Sequence, residues 1–108
     1  MTKEIKLNAP RLRVIVEEGD ELKQYDVQTD NRDALRFDLI RGRKGWPAMS
    51  DAPMLWMSCL AWHALKRSGV TSDDVEDYLD KIVQLTTIDD DGEPVKGDDD
   101  SQSAAPLG

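Results

Sequence analysis

The chain carries one imidazole and one thiol, His63 and Cys59, four residues apart. On a helix that spacing puts both on one face, where they could touch a single ion, yet two ligands in an apolar run fall well short of a zinc site. His63 reads as a polar interruption facing the hairpin or the helix boundary, and Cys59 as a small buried hydrophobe. A nucleophilic serine or cysteine needs an adjacent base, and the sole histidine lies in a hydrophobic stretch, so no catalytic residue is expected. Asp89-Asp90-Asp91-Gly92-Glu93 is acidic but lacks the alternate ligand spacing and the twelfth-position glutamate of a calcium loop. Gly42-Arg43-Lys44-Gly45 is too short for a phosphate loop and falls at a helix end, where carbonyls rather than amides project. The expectation is a protein without catalytic residues, metal or cofactor.

Two groups remain that could recognise something. Arg32, Arg36, Arg41, Arg43 and Lys44 make a basic surface whose guanidinium groups could neutralise phosphates. No aromatic pattern for base stacking accompanies them, and an acidic tail would compete for the same cations. A protein-contact or solvated face is the stronger reading, with nucleic acid set aside. Trp56 and Trp62 stand six apart, about 240° around a helix, so they point to different faces, and one of them is free to anchor an interface. Phe37, Ile40, Trp46, Met54, Trp56 and Trp62 are the candidate partner contacts.

The elements that must position these residues can be read from periodicity. Leu12, Val14 and Val16 alternate, Glu18-Gly19-Asp20 supply turn chemistry, and Tyr25 and Val27 resume the alternation, which predicts a hairpin over about 11–28. Leu22 is out of phase, which suggests a bulge or a turn longer than two residues. A first helix over about 30–42 opens at Asp30 with Asp33 in its first turn and shows Leu35, Phe37, Leu39 and Ile40 at helical spacing. A second, over about 51–68, is capped by Ser50 or Asp51, has Pro53 early, Lys66 and Arg67 late, and Gly69 as a left-handed stop. It is apolar on nearly every face and must be buried all round, which favours self-association or partner binding. A third helix is expected over about 72–86, with Val75, Leu79, Ile82 and Val83 as its buried stripe. The fold class predicted is therefore α+β, mainly helical: an N-terminal β-hairpin, about three helices and a disordered acidic C-terminal tail.

With 108 residues the chain fits one small domain, expected over 1–88, that buries only about two thirds of its unfolded surface. Of the net charge of −8, the segment 89–108 holds −6, seven carboxylates against Lys96 alone. That segment has too few apolar residues to offset its ordering entropy and reads as disordered. A single cysteine forbids an intramolecular disulfide, the start MTKEIKLNAPRLR lacks the apolar core of a signal peptide, and the Met54–Leu65 run would span about 18 Å as a helix against a hydrocarbon core of about 30 Å. The expectation is a soluble cytoplasmic chain without membrane contact.

Four motifs in order, Val27-Gln28-Thr29-Asp30-Asn31-Arg32-Asp33, Gly45-Trp46-Pro47, Asp51-Ala52-Pro53 and Leu60-Ala61-Trp62 followed by Lys66-Arg67-Ser68-Gly69, resemble the tail assembly chaperones of long-tailed phages infecting actinobacteria. The similarity runs over roughly residues 7–85, and Met57-Ser58-Cys59 departs from the bulkier aromatic second helix common in that family. The resemblance implies a non-virion protein of the host cell cytoplasm that binds and solubilises the tape measure protein and promotes assembly of the tail tube subunits around it. It also implies association with a longer product of a programmed frameshift, for which residues 89–108 would be the unshifted ending. Competing readings are a structural virion component, such as a connector or minor tail protein, and a small acidic protein-binding adaptor.

Overall fold

The computed structural model of the chain describes residue 5 and residues 7–95. The predicted hairpin is present as β1 (Arg11–Glu18) and β2 (Glu21–Gln28), in unbroken antiparallel register from Arg11 opposite Gln28 to Glu18 opposite Glu21. Gly19, at φ 65°, and Asp20 make the connection, a tight turn in which glycine takes the left-handed conformation without steric cost. The expected bulge is therefore not in the hairpin. Leu22 pairs with Glu17 on the far face of the sheet and is 65% exposed.

Two helices follow close to their predicted places. Helix α1 (Asn31–Lys44) passes through Gly42 and stops at Gly45, whose φ of 72° lets its amide and that of Trp46 both donate to the Arg41 carbonyl. Helix α2 (Pro53–Arg67) starts two residues later than expected. The Asp51 and Ala52 amides are used in a turn on the Ala48 carbonyl, and Ala52 occupies the cap position without a side-chain hydrogen bond. Its end matches the prediction: Gly69 has φ 84°, its amide donates to Lys66 O, and that of Val70 donates to Leu65 O.

The third predicted helix is corrected. Only Val75–Leu79 is helical, as the five-residue α3, and Ile82–Ile88 is the strand β3. Five of its seven residues, Ile82, Val83, Thr86, Thr87 and Ile88, are β-branched and lose rotamer freedom in a helix. The free edge of β1 then offers them backbone partners, and β3 pairs antiparallel with it, giving the sheet order β2-β1-β3. An irregularity at Ile15/Val16 of this second ladder is where a bulge does occur. The molecule is thus an α+β domain with a three-stranded antiparallel sheet and three helices, and it is not mainly helical.

One face of the sheet carries the core. Leu12, Val14 and Val16, all at 0% exposure, lie opposite Val27, Tyr25 and Lys23 on one side and Thr87, Leu85 and Ile82 on the other. Helix α2 packs on strands β2 and β3 and also against α1 and α3, so the two turns from Cys59 to Leu65 are almost wholly enclosed. Its first turn is not: Met54 is 57% exposed and Leu55, Trp56 and Met57 are half-buried, so the helix is not covered all round. Burial of Cys59 pushes its thiol up to about 12.

On the opposite face Arg13 forms a bidentate pair with its cross-strand neighbour Asp26, at 2.9 and 3.0 Å, and donates to the Gly92 carbonyl at 3.0 Å. Residues 89–95 are the beginning of the segment read as a disordered tail, and they fold back on β3. The Asp89 carboxylate accepts from the amides of Asp91 and Glu93, Ile88 bridges to Pro94, and Val95 N donates to Thr87 O. Residues 96–108 lie outside the described residues.

The two leucines of the hairpin test this register. Leu12→Ala should cost about 2–5 kcal/mol, as for a filled core position, whereas Leu22→Ala should stay within about 0.5 kcal/mol. Urea unfolding followed by circular dichroism measures both, and equal losses would contradict the assigned faces.

Candidate functional site

The segment Thr29–Asp33 is a junction. Thr29, fully buried, donates to the Pro10 carbonyl through both its amide (3.2 Å) and its hydroxyl (2.6 Å), and Gln28 Nε2 donates to Ala9 O at 3.1 Å. Asp30 then caps α1: its carboxylate accepts from Arg32 N at 2.8 Å while its own amide donates to Asp33 Oδ2 at 2.9 Å, a reciprocal capping box. The Arg32 guanidinium and amide, together with the Arg67 charge, hold the Asp30 carboxyl down at about 2.

Asp33 does more than complete the cap. Its side chain has no exposed surface, and it accepts from Arg67 Nε at 3.0 Å, Arg67 Nη2 at 2.7 Å and His63 Nδ1 at 2.6 Å. A carboxylate paired with arginine offers only acceptors, so Nδ1 of His63 is the donor of that bond and Nε2 is the ring nitrogen left for other partners. The same bond to Asp33 raises the pKa of Arg67. Asp33 stands in the first turn of α1 and His63 and Arg67 in the last turns of α2, so the cluster ties the start of α1 to the C-terminal half of α2. Trp62 anchors the other side of α2, donating from Nε1 to Asp73 O at 2.9 Å, with the Lys66 ammonium 5.3 Å from its ring centre.

Around this cluster are two larger clefts. The first, about 490 Å³, lies between α1, α2 and the start of α3 and is lined by Arg36, Ile40, Arg43, Lys44, Trp62, His63, Lys66, Arg67, Asp74, Val75 and Glu76. The second, about 420 Å³ and mainly apolar, runs between residues 7–10 and the helices and is walled by Leu7, Pro10, Ala34, Trp56 and Leu60, with Asp30 and Asn31 at its polar end. A smaller hollow of about 280 Å³ connects His63 and Arg67 to Leu35 and Leu39 of α1, which are 54% and 50% exposed. The sequence reading placed these leucines with Phe37 and Ile40 on one stripe; the structure puts only the latter two inside.

Of the six candidate partner contacts, Phe37, Ile40 and Trp62 are core residues at 1%, 3% and 5% exposure, Trp46 and Trp56 are half-buried, and Met54 is exposed. Trp62 is thus the inward-facing tryptophan of α2, and Trp56 opens onto the apolar groove. The basic residues do not form one row. Arg36, Arg43 and Lys44 line the first cleft, Lys44 pairing with Glu76 at 3.2 Å; Arg32 turns to Asp30; Arg41 donates from Nε to Pro47 O at 3.3 Å. Asp33, His63, Lys66 and Arg67 were not read as a unit. The available signal was that His63 and Arg67, two polar residues in an apolar helix, stand at i and i+4 and so share a face that needs a counter-charge. Among the described residues no group of three or more His, Cys, Asp or Glu is placed to hold a metal ion, and no helix is long and apolar enough to cross a membrane.

Removing the buried acceptor should be costly. Asp33→Ala leaves Arg67 and His63 uncompensated against the core and should lose about 3 kcal/mol, while Arg32→Ala at the exposed cap should hardly move the unfolding midpoint. Asp30 sets an acid limit. Its carboxyl is depressed from 3.8 when free to about 2 in the fold, so its contribution is fully present above pH 4 and is lost as pH falls through 2. Acid titration of Asp30→Asn against the parent chain should show the two stabilities converging across that window.

Comparison with family models, curated proteins and solved structures finds no match, so the geometry and the residue-level resemblance are what a functional reading can rest on.

Proposed function

We propose that this chain is a non-catalytic protein-binding factor acting as a phage tail assembly chaperone, which holds an apolar helical segment of a tape measure protein. The observation that carries the reading is the groove of about 420 Å³ in front of Trp56 and Leu60, one turn apart on α2. A half-buried tryptophan at the floor of an open apolar groove is the arrangement by which an amphipathic helix is received. Exposed Met54 and Met49 at the entrance to α2 add adaptable apolar surface. The client is taken from the resemblance carried by the four motifs, and the geometry supports only the mode of holding. Of the residues expected to make contact, Trp56, Met54 and Trp46 keep surface to offer, while Phe37, Ile40 and Trp62 are buried in the core.

The test is co-expression with the product of the long reading frame that would follow this gene. The parent chain should keep that product soluble and co-purify with it. Trp56→Ala should reduce the recovered complex about tenfold or more with the fold intact, as for loss of an interface anchor. Recovery unchanged by Trp56→Ala would reject the groove, and presence of the chain at fixed stoichiometry in purified particles would favour a virion component instead.

A further inference from the structure

We infer that the cleft between α1, α2 and α3 is a binding site for a small, multiply charged oxyanion of the phosphate class. The chain is strongly acidic, with net charge −8, yet this concavity gathers Arg36, Arg43 and Lys44 from one helix and His63, Lys66 and Arg67 from another. Bringing like charges into one concavity is unfavourable unless something answers them. Inside the protein the answer is partial. Glu76 takes Lys44 at 3.2 Å, Asp33 takes Arg67, and the Lys66 ammonium lies over Trp62 without a carboxylate. Asp74 also lines the wall. Arg36 and Arg43 have no ion pair or hydrogen bond among the described residues and are exposed.

Helix polarity explains some of these cations and not others. Arg43, Lys44, Lys66 and Arg67 lie in the last turns of α1 and α2, where a positive charge complements the helix end. Arg36 sits mid-helix, where no such benefit exists, and His63 is held with Nδ1 on a fully buried carboxylate so that its other nitrogen is oriented by the fold. The planar guanidinium forks of Arg36 and Arg43 and the ammonium groups of Lys44 and Lys66 around a space of about 490 Å³ suit a tetrahedral, multiply charged oxyanion, which accepts from several donors at once. A flat aromatic ligand is less suited, because Trp62, the one tryptophan in the lining, is 95% buried and its ring is already faced by the Lys66 ammonium.

Isothermal titration of the full chain with pyrophosphate, accompanied by two-dimensional amide and indole NMR, tests this. Saturable one-to-one binding is expected, with the Trp62 indole and His63 ring signals moving. Arg36→Glu combined with Arg43→Glu should weaken it about tenfold or more, as for loss of charge-assisted contacts, while Lys23→Glu on the hairpin should leave it unchanged. Both altered arginines are exposed, and the unshifted core amides of the double variant would show that it folds. Absence of saturable binding, equal weakening by Lys23→Glu, or saturation by a synthetic peptide of residues 89–108 but not by pyrophosphate would overturn the assignment.

Discussion

A buried carboxylate organises this molecule. Asp33 has no contact with water, so its charge must be answered inside the protein, and the groups that answer it come from 30 and 34 residues further along the chain. A carboxylate already engaged by the Asp30 amide accepts a two-pronged guanidinium and an imidazole in only one helix arrangement. That requirement ties the first turn of α1 to the C-terminal half of α2, beside the cationic cleft. Such a pair specifies geometry more than it adds stability, because desolvation offsets much of the attraction.

The sheet poses the complementary problem. A two-stranded hairpin cannot hold its apolar face alone, and Leu12, Val14 and Val16 on β1 need cover from both neighbours as well as from α2. Strand β3 supplies the missing edge at the end of the fold, so that β1, nearly first in the sequence, becomes the central strand. The turn after Ile88 then shields part of the outer face through Arg13. Local chain and distant chain are joined at the same strand.

Two kinds of surface result, one along the N-terminal half of α2 and one along its C-terminal half. The groove before Trp56 is apolar and suits a helix in a protein-holding role, while the cleft beside His63 is cationic and suits an oxyanion. A chain with a net charge of −8 still concentrates positive charge where three helices meet. The two surfaces share α2, whose Trp56 and Leu60 serve the first and whose His63, Lys66 and Arg67 serve the second.

Much of the local structure was legible without coordinates. The hairpin around Gly19, the Asp30 cap, the left-handed stop at Gly69 and the apolar α2 all follow from side-chain chemistry within a few residues, where sterics and local hydrogen bonds decide. The segment 82–88 was not, because Val75, Leu79, Ile82 and Val83 fit a helical stripe while the β-branched run fits a strand, and the choice rested on an open edge of β1 some seventy residues away. The phase of Leu22 was resolved by ladder register, which turn composition leaves open. Phe37, Ile40 and Trp62 could have been interface or core until the helices were packed. The sequence by itself determined where the chain turns, caps and alternates, since those are short-range effects. Only the tertiary structure decided that Asp33, His63 and Arg67 form one buried cluster and that the basic residues gather around a cleft, since burial and charge compensation depend on neighbours that the linear order does not place together.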